Sequence, residues 1–430
     1  MKKNDNDISF LARVILFFRG VKEKIASLQI FHKISSRQKA LSSYIGKSSS
    51  EESRISYILG IGKIVSAALL TVLLVVTALF GSRVISYEKV YYTFKDISYI
   101  KSFGEGATEN LNYSKGLQNQ VFDNYKNGLL VASDSEIKLF TSTGRVTMTE
   151  GTEMVNPRVA ASNGNTLVYD QGRKSFSVYN SFVKLYSERT EYPIALADMS
   201  DNGEFLVVTS SAKYSSVVKI YGSDFKLKSE YSKNDRVISA SISDNGRYAA
   251  ILSLDASDGQ SHVRLNILDC KKDKILSESV FTGSMPYSCE FLTNERVAVF
   301  LDDKACVISK DGKSVGELTY SSNVERIDVD GDRFAILFSE AEGEDKKQLC
   351  VFDSGCNKTF STQVEGAFRD LELSGGYAYL LKAREAIRVN TTLGTKSEAE
   401  VSADTVCLVA LEGGKVIACS ATSGAYISFD

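Results

Sequence analysis

The chain has 430 residues, of which 43% are hydrophobic and 24% are charged, and its formal net charge is −2. This composition is typical of folded protein and excludes disorder as the state of the whole chain. The charge is unevenly distributed, because residues 1–63 carry 12 Lys and Arg against 5 Asp and Glu, whereas the remainder carries 39 against 48. The main part therefore lacks the excess of Lys and Arg on which phosphate-backbone binding depends, and we expect no nucleic-acid partner.

Residues 1–56 form a basic tail with a helical apolar stripe. Its apolar side chains recur at intervals of three and four residues, at Leu11, Val14, Phe18, Val21, Ile25 and Leu28. This spacing predicts an amphipathic helix. The basic opposite face favours a position on the inner leaflet of a membrane, and pairing with a partner helix or a second copy is the alternative.

Residues 57–82 are predicted to span the membrane. No charge interrupts residues 64–80, which is long enough to cross a bilayer. The residues that we expect to anchor the chain in lipid are Ile64, Leu69, Leu70, Val75 and Phe80. The basic flank before this run predicts a cytoplasmic N-terminus and places everything after about residue 83 outside; a buried core helix is the alternative.

The rest of the chain is organised by a repeat. Ser200-Asp201-Asn202-Gly203 recurs 43 residues later as Ser243-Asp244-Asn245-Gly246. Each copy lies between an alternating run and an apolar run, and its Asn-Gly suits positive φ, which predicts a β-hairpin. Six diverged units bring the total to eight, and two further short β-like runs follow each hairpin. Four-stranded units at this period are typical of propeller blades.

The predicted fold class is all-β, with an eight-bladed β-propeller over residues 111–430 and seven blades as the alternative. Pro157, Pro193 and Pro286 fall at the starts of predicted first strands, where a missing N–H is tolerated. The last unit has only three strands. Residues 83–110 form a juxtamembrane segment, and within it residues 90–97 are predicted to supply the missing strand and close the ring.

The repeat Ser-Asp-Asn-Gly-Arg-Tyr-Ala-Ala-Ile (243–251) resembles the Ser-Pro-Asp-Gly-Lys repeat of bacterial WD40-like and TolB-type propellers. Together with the basic tail and the single span, it resembles a family of single-pass membrane proteins from clostridia-type bacteria that carry such a propeller outside the cell. This resemblance implies the fold and an extracytoplasmic location. The chain has no Trp, so it departs from the Trp-Asp repeats of true WD40 proteins and from quinone-cofactor propellers.

No residue is predicted to be catalytic. His262 is the only His outside the tail, and no nucleophile-elbow motif accompanies it. Residues 328–332 (Asp-Val-Asp-Gly-Asp) contain clustered carboxylates, but Asp330-Gly331 falls where other units have their hairpin turn, so a turn is favoured over a calcium site. We expect neither a metal nor a cofactor.

The seven Cys residues follow no zinc-like or thioredoxin-like spacing. Most of them lie on predicted strands and are interpreted as small core residues. Cys350 with Cys356, or Cys407 with Cys419, are the pairs that an oxidising compartment would bridge.

A partner-binding surface is predicted where second strands lead to third strands. Long connections at 210–216, 255–262 and 339–347 predict a face that carries function. Its predicted partner-binding residues are Tyr214, Asp255, Asp258, His262, Glu340, Glu342, Glu344 and Asp345. Their acidity favours a cationic or peptide partner, and a solvated rim is the alternative.

The sequence thus predicts a membrane-anchored binding or scaffold module for cell-envelope proteins or polymer. The alternatives are an envelope hydrolase or lyase that uses carboxylates in the propeller channel, and a single-pass sensor that relays external binding to the tail. The sequence does not indicate the oligomeric state.

Overall fold

Eight four-stranded antiparallel sheets follow one another along the chain. The computed structural model describes residues 110–116, 119–257, 259–339 and 345–429. Seven of the sheets take four consecutive strands each, and the eighth joins the two ends of the described chain. The predicted all-β propeller is confirmed, with eight blades rather than seven.

The strands of the first four blades have the following bounds. Blade 1 has β2 (Gln120–Tyr125), β3 (Gly128–Ser133), β4 (Glu136–Phe140) and β5 (Val146–Gly151). Blade 2 has β6 (Pro157–Ala161), β7 (Thr166–Asp170), β8 (Ser175–Tyr179) and β9 (Lys184–Arg189). Blade 3 has β10 (Ile194–Met199), β11 (Phe205–Thr209), β12 (Ser216–Tyr221) and β13 (Leu227–Lys233). Blade 4 has β14 (Arg236–Ile242), β15 (Tyr248–Ser257), β16 (Gln260–Asp269) and β17 (Lys274–Thr282).

The remaining blades repeat this arrangement. Blade 5 has β18 (Pro286–Thr293), β19 (Arg296–Leu301), β20 (Lys304–Ser309) and β21 (Ser314–Thr319). Blade 6 has β22 (Asn323–Asp330), β23 (Arg333–Ser339), β24 (Lys346–Asp353) and β25 (Lys358–Glu365). Blade 7 has β26 (Asp370–Ser374), β27 (Tyr377–Leu381), β28 (Glu385–Asn390) and β29 (Lys396–Glu400). Blade 8 has β30 (Cys407–Ala410), a 3-10 helix (Glu412–Gly414), β31 (Val416–Cys419), β32 (Ser423–Ile427) and β1 (Asn110–Asn112).

Blade 8 closes the ring by pairing β1 with β32, so that its strand order is β1-β32-β31-β30. Leu111 lies opposite Gly424 in this pair. A strand from before the first blade therefore completes the last blade, as predicted, but it is Asn110–Asn112 rather than residues 90–97, which lie outside the described residues. Closure in this way removes two open sheet edges.

The first strand of each blade contacts the first strands of both neighbouring blades, which makes a continuous inner ring of β2, β6, β10, β14, β18, β22, β26 and β30. The second strands are buried on both faces; residues 205–209 and 297–301, for example, are at most 3% exposed. Their apolar side chains form clusters that are shared between adjacent blades. The core is thus distributed between the sheets, as expected of continuously apolar second strands.

The Ser-Asp-Asn-Gly turns link neighbouring blades as well as the strands of one blade. In these turns only the glycines take positive φ, at 83° for Gly203 and 64° for Gly246. The asparagines instead form hydrogen bonds between turns: the side-chain amide of Asn202 donates to the backbone oxygen of Asn245 at 2.6 Å. The backbone N–H of Asn245 in turn donates to the Asn294 side chain at 3.0 Å. The repeated motif therefore has a structural role in joining consecutive turns, beyond the hairpin that it predicts.

Two sequence predictions about local structure have different outcomes. Pro157 and Pro286 begin β6 and β18 and Pro193 directly precedes β10, as predicted. The long connection predicted at residues 255–262 is wrong, because β15 and β16 continue through it and Asp255 pairs with His262. Strand pairing has overridden the low β-propensity of its Asp, Ser and Gly residues.

The predicted tail and membrane segment, including Ile64, Leu69, Leu70, Val75 and Phe80, lie outside the described residues. Within the part of the chain that is described, no helix is long and apolar enough to cross a bilayer.

Candidate partner-binding face and channel

The propeller has two ends, which we name by their connections. The linker face carries the connections between blades, such as residues 283–285 and 401–406, and the connections from second to third strands. The hairpin face carries the other turns, including the Ser-Asp-Asn-Gly turns. Tyr214, Asp255, His262 and Asp345 all belong to the linker face. Asp258, Glu340, Glu342 and Glu344 lie outside the described residues.

The four described residues do not form one cluster around a single centre. Tyr214 lies in a turn in which its own backbone N–H donates to Ser211 Oγ at 2.8 Å. Lys213 Nζ lies 5.1 Å from the centroid of the Tyr214 ring. Asp255 and His262 are opposite each other on the extended β15–β16 hairpin. Asp345 is an exposed residue of blade 6. The structure therefore supports a shared face for these residues rather than a compact site.

Asp255 takes part in a charged cluster between blades 3 and 4. Arg264 Nη1 donates to Asp235 Oδ2 at 2.8 Å and lies 3.5 Å from Asp255 Oδ2. Both carboxylates contribute to raising the pKa of Arg264, with the Asp235 hydrogen bond as the largest cause. This cluster fixes the base of the extended hairpin. The Asp255 carboxylate is therefore paired within the protein and needs no bound partner.

The sequence prediction missed an apolar corner beside this hairpin, formed by Met285 and Tyr287. Met285 is 49% exposed and Tyr287 is 62% exposed. Pro286 pairs with Leu301 and Ser288 with Phe300, so Tyr287 is the extra residue of a β-bulge. Bulges redirect a side chain away from the regular alternation of a strand, and here the bulge exposes an aromatic ring at the inner end of the linker face.

Two carboxylates flank this corner. Asp302 accepts a hydrogen bond from Met285 N at 2.7 Å, and Asp302 N donates to Met285 O at 2.9 Å. Asp302 and its neighbour Asp303 are both exposed. The corner thus combines an exposed thioether, an exposed phenol and fixed negative charge.

The channel inside the ring of first strands carries a second group that the sequence prediction missed. Its carboxylates are on β2, β10, β18, β22 and β26, and they are Asp123, Asp198, Glu290, Asp328, Asp370 and Glu372. A signal for three of them was present, because Asp123, Asp198 and Asp370 each precede a turn glycine by five positions.

Most of these carboxylates accept hydrogen bonds from the next blade. Asp198 Oδ2 accepts from Ile242 N at 2.8 Å, Asp370 Oδ2 from Leu408 N at 2.9 Å and Glu372 Oε1 from Ala410 N at 2.7 Å. The channel-facing edge of each first strand pairs with no other strand, so the backbone N–H groups on that edge need other acceptors. The carboxylates supply them and bind consecutive blades together around the axis.

Burial of these carboxylates opposes their ionisation. It raises the pKa of Asp198 to about 6 and that of Asp328 to about 7. Glu290 is exposed to the channel, but desolvation by the surrounding blades, together with repulsion from Asp198 and Asp328, raises its pKa to about 8. The Glu290 carboxyl is open to the channel, and among the described residues it has no hydrogen-bond partner, so it is the channel carboxylate that is free to act chemically.

Other predicted features are structural. Residues 331–332 turn between β22 and β23, and Asp330 Oδ2 accepts from Gly375 N at 3.1 Å. The predicted turn is therefore confirmed. Within the described chain, no three His, Cys, Asp or Glu residues are arranged to hold a metal ion.

A separate groove of about 980 Å³ lies between blades 1 and 2. Arg173, Lys174 and Arg189 line it together with Glu153 and the Glu150–Lys184 ion pair. Its mixed charge gives it no clear preference for an anionic or a cationic ligand.

Comparison with solved structures places the fold among propellers. BamB from Moraxella catarrhalis superposes with a TM-score of 0.51 at 12% identity, covering 75% of this chain and 99% of that chain. The WD40 domain of Neurospora crassa Pan2 gives a TM-score of 0.44 at 10% identity, covering 73% of this chain and 89% of that chain. At 12% identity the likeness to BamB concerns the fold alone.

No curated protein matches the sequence. A family profile does match, and it extends over residues 101–425, which include every strand described above except the last residues of β32. The chain therefore belongs to DUF5711, a family of unknown function.

Proposed function

We propose that the protein is a membrane-tethered scaffold whose propeller lies outside the cytoplasm and binds a cell-envelope protein on its linker face. The single observation that carries this proposal is the exposed corner of Met285 and Tyr287. Tyr287 is 62% exposed on a bulge at the channel end of the linker face. Exposed aromatic side chains of this kind are typical of interface hot spots, which become buried when a partner binds. Envelope polymer is the alternative occupant.

The partner segment that fits this corner is basic and apolar. Asp302 accepts a hydrogen bond from Met285 N, and its neighbour Asp303 is also exposed. These carboxylates favour Lys or Arg, while Tyr287 and Met285 favour an aliphatic or aromatic side chain.

The membrane tether is supported by the uncharged run at residues 64–80 and its basic flank. We expect a cysteine placed at Leu393, which is 75% exposed on the hairpin face, to react with a membrane-impermeant maleimide on intact cells. A cysteine placed at Lys47 in the tail is expected to react only after lysis, with the labelled site identified by peptide mapping so that the native cysteines of the propeller do not contribute. The reverse labelling pattern would exclude the proposed orientation.

Tyr287→Ala is expected to weaken partner binding by about 2 kcal/mol or more, which is roughly a 30-fold rise in Kd. A photo-crosslinking amino acid in place of Met285 in the full chain first captures the partner on intact cells. The captured chain is then identified and purified, and its Kd is measured by titration.

Leu393→Ala is the matched control, since it removes a more exposed apolar side chain from the opposite face. It is expected to leave Kd unchanged. Equal affinity of the Tyr287→Ala variant, or equal capture of the same chain by a probe at Leu393, would remove the Met285–Tyr287 corner from the proposal.

A second candidate function is an envelope hydrolase or lyase, and the observation that favours it is Glu290. Its pKa of about 8 leaves the carboxyl largely protonated at neutral pH, as a general acid requires. Release of soluble fragments from cell-wall polymer that Glu290→Gln abolishes would establish this function. Retention of partner binding by the same variant would separate it from the scaffold.

A further inference from the structure

Cys407 and Cys419 lie directly opposite each other on neighbouring strands. Cys407 begins β30, Cys419 ends β31, and the two are paired in the antiparallel register. Cys407 contributes to raising the pKa of the Cys419 thiol, and both residues carry free thiols. Opposite residues of an antiparallel pair have Cα and Cβ separations close to those that a disulfide spans.

The other predicted pair does not have this arrangement. Cys350 lies opposite Ile336 and Ser361, and its thiol is 3.6 Å from Ser361 Oγ. Cys356 lies in the turn after β24, with a positive φ of 63°. Among the described strands, Cys407 and Cys419 form the only cross-strand cysteine pair in register.

We propose that Cys407 and Cys419 form a reversible disulfide by exchange with the disulfide of a thiol oxidant, such as oxidised glutathione or an oxidoreductase of the dithiol class. The proposal rests on the strand register and on the packing of Cys407 against the cluster that contains Cys419, and it is independent of the proposed scaffold function.

The exposure of the two thiols determines the order of the steps. Cys407 is partly buried, whereas Cys419 is fully buried. Burial raises the pKa of the Cys419 thiol well above its ordinary value, so Cys419 is the weaker nucleophile. Cys407 therefore loses its proton and attacks the oxidant first, which forms a mixed disulfide and releases one thiolate.

Cys419 resolves the mixed disulfide. Its sulfur loses its proton and attacks the Cys407 sulfur, the bond between Cys407 and the oxidant breaks, and the second thiolate leaves. The protein has then lost two hydrogens and two electrons, which the oxidant has gained as two thiols. The position of Cys419 beside Cys407 compensates for its low nucleophilicity, because the second step is intramolecular.

The bridge would act at the point where the ring closes. Cys419 packs in one cluster with Leu111 and Tyr113 of the closing segment, and the Tyr113 hydroxyl donates to the backbone oxygen of Ser420 at 2.9 Å. A covalent link between β30 and β31 thus joins the innermost strand of blade 8 to the strand that carries the closing pair β32–β1. We expect the oxidised propeller to unfold at a temperature a few degrees higher than the reduced one.

The experiment uses the full chain in detergent, incubated with oxidised glutathione, after which remaining thiols are alkylated and the protein is digested with trypsin. Lys415 lies between the two cysteines, so cleavage there leaves two peptides that only the disulfide joins. The expected result is this linked pair, and reduction is expected to separate it.

Two single variants distinguish the bridge from general thiol oxidation. Cys419→Ser is expected to accumulate glutathione on Cys407, because the resolving thiol is missing, whereas Cys407→Ser is expected to leave Cys419 unmodified. Cys350 and Cys356 serve as the matched control and are expected to remain unlinked under the same conditions. The proposal is overturned if the unaltered chain keeps glutathione on Cys407, if both thiols stay free, or if Cys350–Cys356 links equally fast.

Discussion

Leu111→Asp is expected to destabilise the propeller by more than about 4 kcal/mol, because it places an unpaired carboxylate in the closing blade. Leu111 is fully buried, and it packs against Leu129 and Val131 of blade 1 and Ile417 and Val409 of blade 8. The same side chain therefore holds both sides of the closure, and no other element of the described chain can pair with the free edge of β32. The measurement is thermal unfolding of the purified full chain, followed by circular dichroism of the β-sheet signal.

Asn112→Asp is the control, since it introduces the same charge one residue away on an exposed side chain. The contact of Asn112 with Lys138 uses the backbone oxygen, at 2.8 Å, and is retained in the variant. We expect a change within about 0.5 kcal/mol. If Leu111→Asp unfolded at the temperature of the Asn112→Asp variant, closure by β1 would not be what stabilises the ring.

The closing strand also shows where sequence patterns stop being informative. Residues 90–97 have the alternation and the β-propensity of a strand, whereas Asn110–Asn112 is a three-residue segment with a single apolar side chain. Local propensity therefore favours the wrong segment. Asn110–Asn112 pairs with β32 because Leu111 fills an apolar space between blades 8 and 1. That space exists only in the assembled ring, so local propensity does not reveal it.

The blades themselves were predictable because each one repeats the same local chemistry. Gly203 and Gly246 occupy equivalent turns at positive φ. In both blades the apolar second strand begins two residues after this glycine. The partner-binding corner was not predictable in this way. Tyr287 is exposed by a bulge that also occurs near the starts of β10, β14 and β22. A bulge is a property of the register between two strands, so the sequence of β18 alone does not show it.

The channel carboxylates are predictable from the sequence in their positions but not in their pKa values. The positions of Asp123, Asp198 and Asp370 relative to their turns repeat in the sequence, but the ionisation of these residues depends on the closed ring around them. Asp123 and Asp198 have pKa values raised to about 6, Asp328 to about 7 and Glu290 to about 8, in each case chiefly by desolvation within the channel. In the unfolded chain these groups return to their ordinary values of 3.8 for Asp and 4.5 for Glu.

Between pH 5 and pH 8 the folded propeller therefore binds more protons than the unfolded chain, and its stability is expected to fall as the pH rises through this window. The stabilisation is fully present below the ordinary pKa values and is lost as each raised pKa is passed. Allowing for water in the channel, the loss is on the order of 3 kcal/mol in sum. Thermal unfolding of the full chain at a series of pH values measures it directly.

Glu290→Gln is expected to reduce this pH dependence most above pH 7, because Glu290 has the highest pKa of the four and is repelled by both Asp198 and Asp328. At pH 8 the variant should be more stable than the unaltered chain, since it no longer loses a proton next to two carboxylates. Glu295→Gln is the matched control: the same substitution on blade 5, at a side chain that is 63% exposed and paired with Lys310, should leave the slope unchanged. A stability that rises from pH 5 to pH 8, or equal slopes for the two variants, would show that the channel carboxylates ionise without cost and that their hydrogen bonds to the next blade outweigh their burial.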